Sequence, residues 1–66
     1  MRIISQNREL SVSFEDSVIE VRNIEIMWLH GSNYRRLGVY KTNGRAQEVF
    51  EDMHRSHTPI YYMPTS

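Results

Sequence analysis

Apolar and polar residues alternate through the chain up to Tyr40, and then the period changes. Between Leu10 and Phe14 the apolar residues Leu10, Val12 and Phe14 alternate with Ser11 and Ser13, as side chains on opposite faces of a strand do. Arg2 to Ser5 reads as a shorter first strand with Ile4 inward, followed by the polar turn Gln6 to Glu9. From Val18 to Arg22, Ile19 and Val21 point inward and Glu20 and Arg22 outward. Ile24, Ile26 and Trp28 then have the opposite parity, so a turn is expected at Arg22–Asn23, where Asn tolerates a left-handed backbone.

Ile24 to Leu29 is apolar on both faces beyond Glu25, the pattern of a strand covered on both sides. His30 to Asn33 forms a short Gly-containing link. In Tyr34 to Lys41, Leu37 and Val39 fall on one face, and Tyr34, Arg36, Gly38 and Tyr40 on the other. Behind the Thr42–Gly44 break, Ala46, Val49, Phe50 and Met53 recur at i, i+3, i+4 and i+7, one stripe of a helix expected over Asn43 to Ser56. Pro59 ends it, and Ile60 to Met63 reads as an edge strand or as an arm laid on another subunit.

The fold expected is therefore α+β, one domain over residues 1–66, with a small antiparallel sheet of four to five strands and one amphipathic helix packed on one face. The expected core is Ile4, Leu10, Val12, Ile19, Val21, Ile26, Leu37, Val39, Ala46, Val49, Phe50 and Met53. One helix cannot cover both sides of Ile24 to Leu29, so a homo-oligomer is expected.

Composition narrows the function. A chain of 66 residues without cysteine hides only roughly 60% of its unfolded surface and has no disulfide or thiolate metal site to supplement it. Eight basic residues balance eight acidic ones, which disfavours coating of DNA. No apolar run is long enough to span a membrane, and no secretory signal follows Met1, so a cytoplasmic protein is expected. His54 and His57 have a spacing that could serve a metal, but no His-Glu-x-x-His pattern accompanies them, and a solvated helix end accounts for both. No serine stands in a nucleophile-elbow setting and no glycine loop cradles phosphate. Neither catalysis, nor a metal, nor a cofactor is expected.

The cluster that stands out is Arg35 and Arg36 between Tyr34 and Tyr40. Arginine offers phosphate a planar fork of donors, and tyrosine rings stack on bases. Arg36, Tyr34 and Tyr40 are expected on one face, with Arg35 the alternate if the register slips by one residue. The competing explanation is an ordinary solvated sheet face with aromatic pairs.

Met1 to Gln6, Leu37 to Tyr40, Arg45–Ala46 with Val49–Phe50, and Tyr62 to Pro64 together resemble a group of short, uncharacterised phage and prophage proteins of Gram-positive bacteria. In that group a small sheet leads through a Leu-Gly-x-Tyr strand into one helix and a closing Tyr-x-Met-Pro segment. More distantly, the chain resembles the phage anti-defence sponge family that blocks Thoeris immunity by sequestering cyclic ADP-ribose-like signals. It is shorter than those proteins and lacks room for their second helix. The resemblance implies a protein of the bacterial host cytoplasm that sequesters a host immune nucleotide signal, a cyclic nucleotide or ADP-ribose derivative, without catalysis. The alternative it leaves open is direct binding to a host defence protein.

Overall fold

The computed structural model describes every residue from Met1 to Ser66. It is an α+β fold of strands β1 (Arg2–Ile4), β2 (Ser11–Ser13), β3 (Val18–Arg22), β4 (Glu25–His30) and β5 (Asn33–Val39), helix α1 (Asn43–Arg55), and strand β6 (Ile60–Tyr62). The strands form two three-stranded sheets, in the orders β2-β1-β6 and β3-β4-β5. The single antiparallel sheet of four to five strands is thus corrected. The polar Glu15–Ser17 turn lies between the β1-β2 pair and the β3-β4-β5 sheet, and the parity break at Asn23 is the β3-β4 turn inside that second sheet.

Each hairpin follows from its turn residues. Asn23 adopts φ 57°, which lets Arg22 pair with Glu25 across a two-residue turn. Gly31 adopts φ 61° between the paired residues His30 and Asn33. β6 pairs with β1 in parallel, Ile3 facing Tyr61. The closing segment is therefore an edge strand of its own chain.

α1 begins where Thr42, in extended conformation, accepts a hydrogen bond from the Arg45 N–H at 3.0 Å, satisfying one of the free donors of the first turn. It ends at Arg55 with Ser56 as its cap, and His54 and Arg55 in the last turn suit the carbonyl end of the helix dipole. The helix lies against β3 and β4. Ala46, Val49 and Met53 are its buried stripe, while half-buried Phe50 packs on the His54 ring, which Phe14 meets edge-on.

The core sits between the two sheets and the helix. It comprises Ile3, Val12, Ile26, Leu37, Tyr40, Ala46, Val49, Met53, Tyr61 and Met63. Ile3 replaces Ile4 as the inward residue of β1, because Ile3 pairs with the inward residues Val12 and Tyr61. Leu10, Ile19, Val21 and Phe50 pack at its margin, and Val39 is only partly covered. Tyr40, Tyr61 and Met63 enter where no simple alternation placed them.

Candidate functional site

The register of β3-β4-β5 decides which side chains share a face. Three rows turn outward: Val18–Leu29–Tyr34, Glu20–Met27–Arg36 and Arg22–Glu25–Val39. Two rows turn toward the core, Ile19–Trp28–Arg35 and Val21–Ile26–Gly38. Between Ile26 and Met27 the ladder shifts, because Ile26 faces Gly38 while Met27 faces Arg36, which leaves Leu37 as the extra residue of a β-bulge. Leu37 and Gly38 consequently both turn inward, and both are buried.

This bulge divides the expected cluster. Tyr34 and Arg36 share the outer face. Tyr40 lies on the other side, 4% exposed, with its hydroxyl donating to the Pro64 carbonyl at 2.9 Å. Burial, partly opposed by the nearby Arg45 charge, raises its phenol pKa. The shared face of Tyr34, Arg36 and Tyr40 is therefore corrected: one residue inserted into an alternating strand reverses the parity of everything after it. The ring's place beside Tyr34 is filled from another strand, where the Arg22 guanidinium lies 4.0 Å from the Tyr34 ring centroid.

Charges on the outer face are largely paired. Arg36 Nε lies 2.8 Å from Glu25 Oε2, and Arg22 is bonded to Glu20. The Glu20 hydrogen bond raises the pKa of Arg22 further above its ordinary range. Arg35 has no carboxylate at ion-pair distance and no aromatic ring beneath it. Amid these charges the face is apolar and uncovered: Val18 is 61% and Tyr34 44% exposed, beside half-buried Met27 and Leu29.

β5 is the terminal strand of its sheet, and a cleft of about 330 Å³ runs along it, lined by Gln6, Asn7 and residues Arg35 to Val39. Here Arg35 and Arg36 come together despite pointing to opposite faces, since an edge is reached from both. Gln6 and Asn7 are cleft residues that periodicity could not find, because a turn carries no alternation. Met27 and Leu29 belong to the strand whose sequence is apolar on both faces, whereas Val18, on β3, carries no such signal. The two remaining clefts lie between α1 and Tyr61, and between Phe14 and the loop from Ser56 to Pro59. No group of three or more His, Cys, Asp or Glu side chains could hold a metal ion, and no helix is long and apolar enough to cross a membrane.

No protein-family model, curated protein or solved structure matches this chain.

Proposed function

We propose that this protein is a phage-encoded binding protein that inhibits a host defence protein by direct contact, without catalysis, through the outer face of β3-β4-β5. The observation that carries this reading is the uncovered apolar surface of that sheet, the row Val18–Leu29–Tyr34 continued by Met27 and bordered on one side by Arg22, Glu25 and Arg36. An apolar patch, an exposed tyrosine and neighbouring arginines are the composition of protein interfaces. The origin in a phage and the cytoplasm of a bacterial host rest on the sequence resemblance.

Sequestration of a nucleotide signal is the second reading, and unpaired Arg35 beside Arg36 in the edge cleft favours it. At about 330 Å³, that cleft stands at the low end of the roughly 300–1,000 Å³ typical of ligand pockets, which bury most of their ligand. Tyr40, one of the two rings expected to stack on a base, is in the core. A homo-oligomer is a competing use of the outer face. Three strands about 4.8 Å apart and some six residues long cover only roughly 300 Å² in projection, against about 800 Å² per partner in a standard interface. That size favours a partner that reaches beyond the face over a copy lying flat on it.

The test is infection of defended bacteria expressing wild type, Val18→Asp or Tyr34→Asp, with calorimetry of the purified proteins against cyclic dinucleotides and ADP-ribose derivatives. Wild type is expected to restore infection and bind none of the nucleotides, and both variants are expected to fold and to fail in cells. Tight nucleotide binding by wild type and by both variants, with infection restored by all three, would overturn this reading in favour of sequestration.

A further inference from the structure

We propose that the Asn33–Arg36 edge of β5 accepts an extended acidic segment of a partner protein as an added strand. This rests on the protein-binding reading above and names the partner's chemistry.

The far edge of β5 is closed over only part of its length. The Gln6 N–H donates to the Leu37 carbonyl at 2.7 Å, and the Gln6 side chain bonds both main-chain groups of Val39. From Asn33 to Arg36 no further strand pairs with the edge and no hydrogen bond from the Gln6–Asn7 turn closes it, and all four residues are exposed. An edge strand turns alternate N–H and C=O groups outward, a ready template for another strand. Four residues suffice for such a pairing here, since β1 and β6 pair over three.

Charge selects the occupant. Arginines on an edge keep like copies apart: two copies joined antiparallel about this stretch would set either Arg35 or Arg36 directly against its own counterpart, where like charges are destabilising. An acidic strand is attracted by Arg35, which has no carboxylate partner, and by Arg36, whose charge it would share with Glu25. Because Arg35 and Arg36 point to opposite faces, consecutive acidic residues would meet both. Acidic residues spaced by one would both lie on one face and meet only one arginine. The next position along the added strand lies beside Tyr34, a place for a β-branched or aromatic side chain. The added strand also widens the outer sheet face, which by itself is small for a stable interface.

Fluorescence anisotropy with short labelled peptides tests this. The peptides are one with two consecutive glutamates followed by valine, one with the same residues reordered so that the glutamates alternate with valine, and one with the first sequence N-methylated at its central amides. The first is expected to bind wild type, and to lose affinity by about tenfold or more with Arg35→Ala or Arg36→Ala. It is also expected to protect from hydrogen exchange the outward-facing amides of Asn33–Arg36, every second one along the edge. The other two peptides are expected to bind at least about tenfold more weakly, although their charge is unchanged. Equal binding of all three would overturn strand addition in favour of undirected charge attraction. So would self-association that protects the same amides without peptide. If no peptide binds while the Tyr34 face still engages a host protein, strand addition fails and the protein-binding reading stands. Failure of that reading would show instead as nucleotide binding in the calorimetry.

Discussion

The side-chain amide of Gln6 is hydrogen-bonded to both main-chain groups of Val39, its oxygen accepting from the N–H at 2.9 Å and its nitrogen donating to the carbonyl at 3.1 Å. One side chain thereby imitates a neighbouring strand and joins the two sheets. The same nitrogen donates to the Pro64 carbonyl at 3.0 Å, which ties down the end of the chain. At roughly 0.5–1.5 kcal/mol net for each such bond, Gln6→Met is expected to cost about 2–4 kcal/mol. In a domain this small that is a large share of its stability. Urea unfolding followed by circular dichroism measures the loss, and an unchanged midpoint would show that the sheets are held together elsewhere.

Ile3 and Ile4 are neighbours with opposite fates. Ile3 is fully buried, whereas Ile4 is half-buried on the outer side of β1. Ile3→Ala is expected to cost about 2–5 kcal/mol, as core truncations do, and Ile4→Ala less than half of that. Thermal melts of the two variants settle the register of β1, and a larger loss for Ile4→Ala would reverse it.

Stability should fall in alkali. The Tyr61 hydroxyl donates to Asp52 Oδ2 at 2.8 Å, and its pKa is raised first by burial and then by that bond to a carboxylate. Burial raises Tyr40 as well. A phenol held protonated by the fold contributes stability that is complete below its unfolded pKa of about 10 and is lost as the pH rises through the higher folded value. The urea midpoint is therefore expected to be flat with respect to these groups at neutral pH and to drop above about pH 10. Tyr61→Phe should weaken that dependence, and an equally steep drop in the variant would assign it to other groups.

Light scattering at micromolar concentration is expected to give a mass near 7.9 kDa, because the outer face alone is small for a stable dimer. A mass of twice that, reduced to one chain by Val18→Asp, would make the outer face a contact between copies.

Much of this architecture can be read from residue order. The helix stripe at Ala46, Val49 and Met53 and the left-handed Asn23 each follow from local chemistry. What could not be read depends on contacts distant in sequence. Arg2-Ile3-Ile4 offers two equivalent isoleucines, and only pairing with Val12 and Tyr61 chooses between them. The bulge at Leu37 leaves no mark in an alternating strand, so Tyr40 looked like a neighbour of Tyr34. Gln6 sits in a polar turn, and nothing local shows that its amide reaches Val39. Tyr34 and Arg36 keep the shared face that alternation predicts because they precede the bulge.

Photo-crosslinking from position 34 tests direct engagement of a host protein most closely. A photoreactive phenylalanine replaces Tyr34 in one variant and Gln47, exposed on the helix, in another, and both are irradiated in defended host cells. The expected result is one defined adduct with a host defence protein from position 34, absent from position 47 and lost when Val18→Asp is added. Adducts only with further copies of this chain, or the same adducts from both positions, would contradict the proposed function.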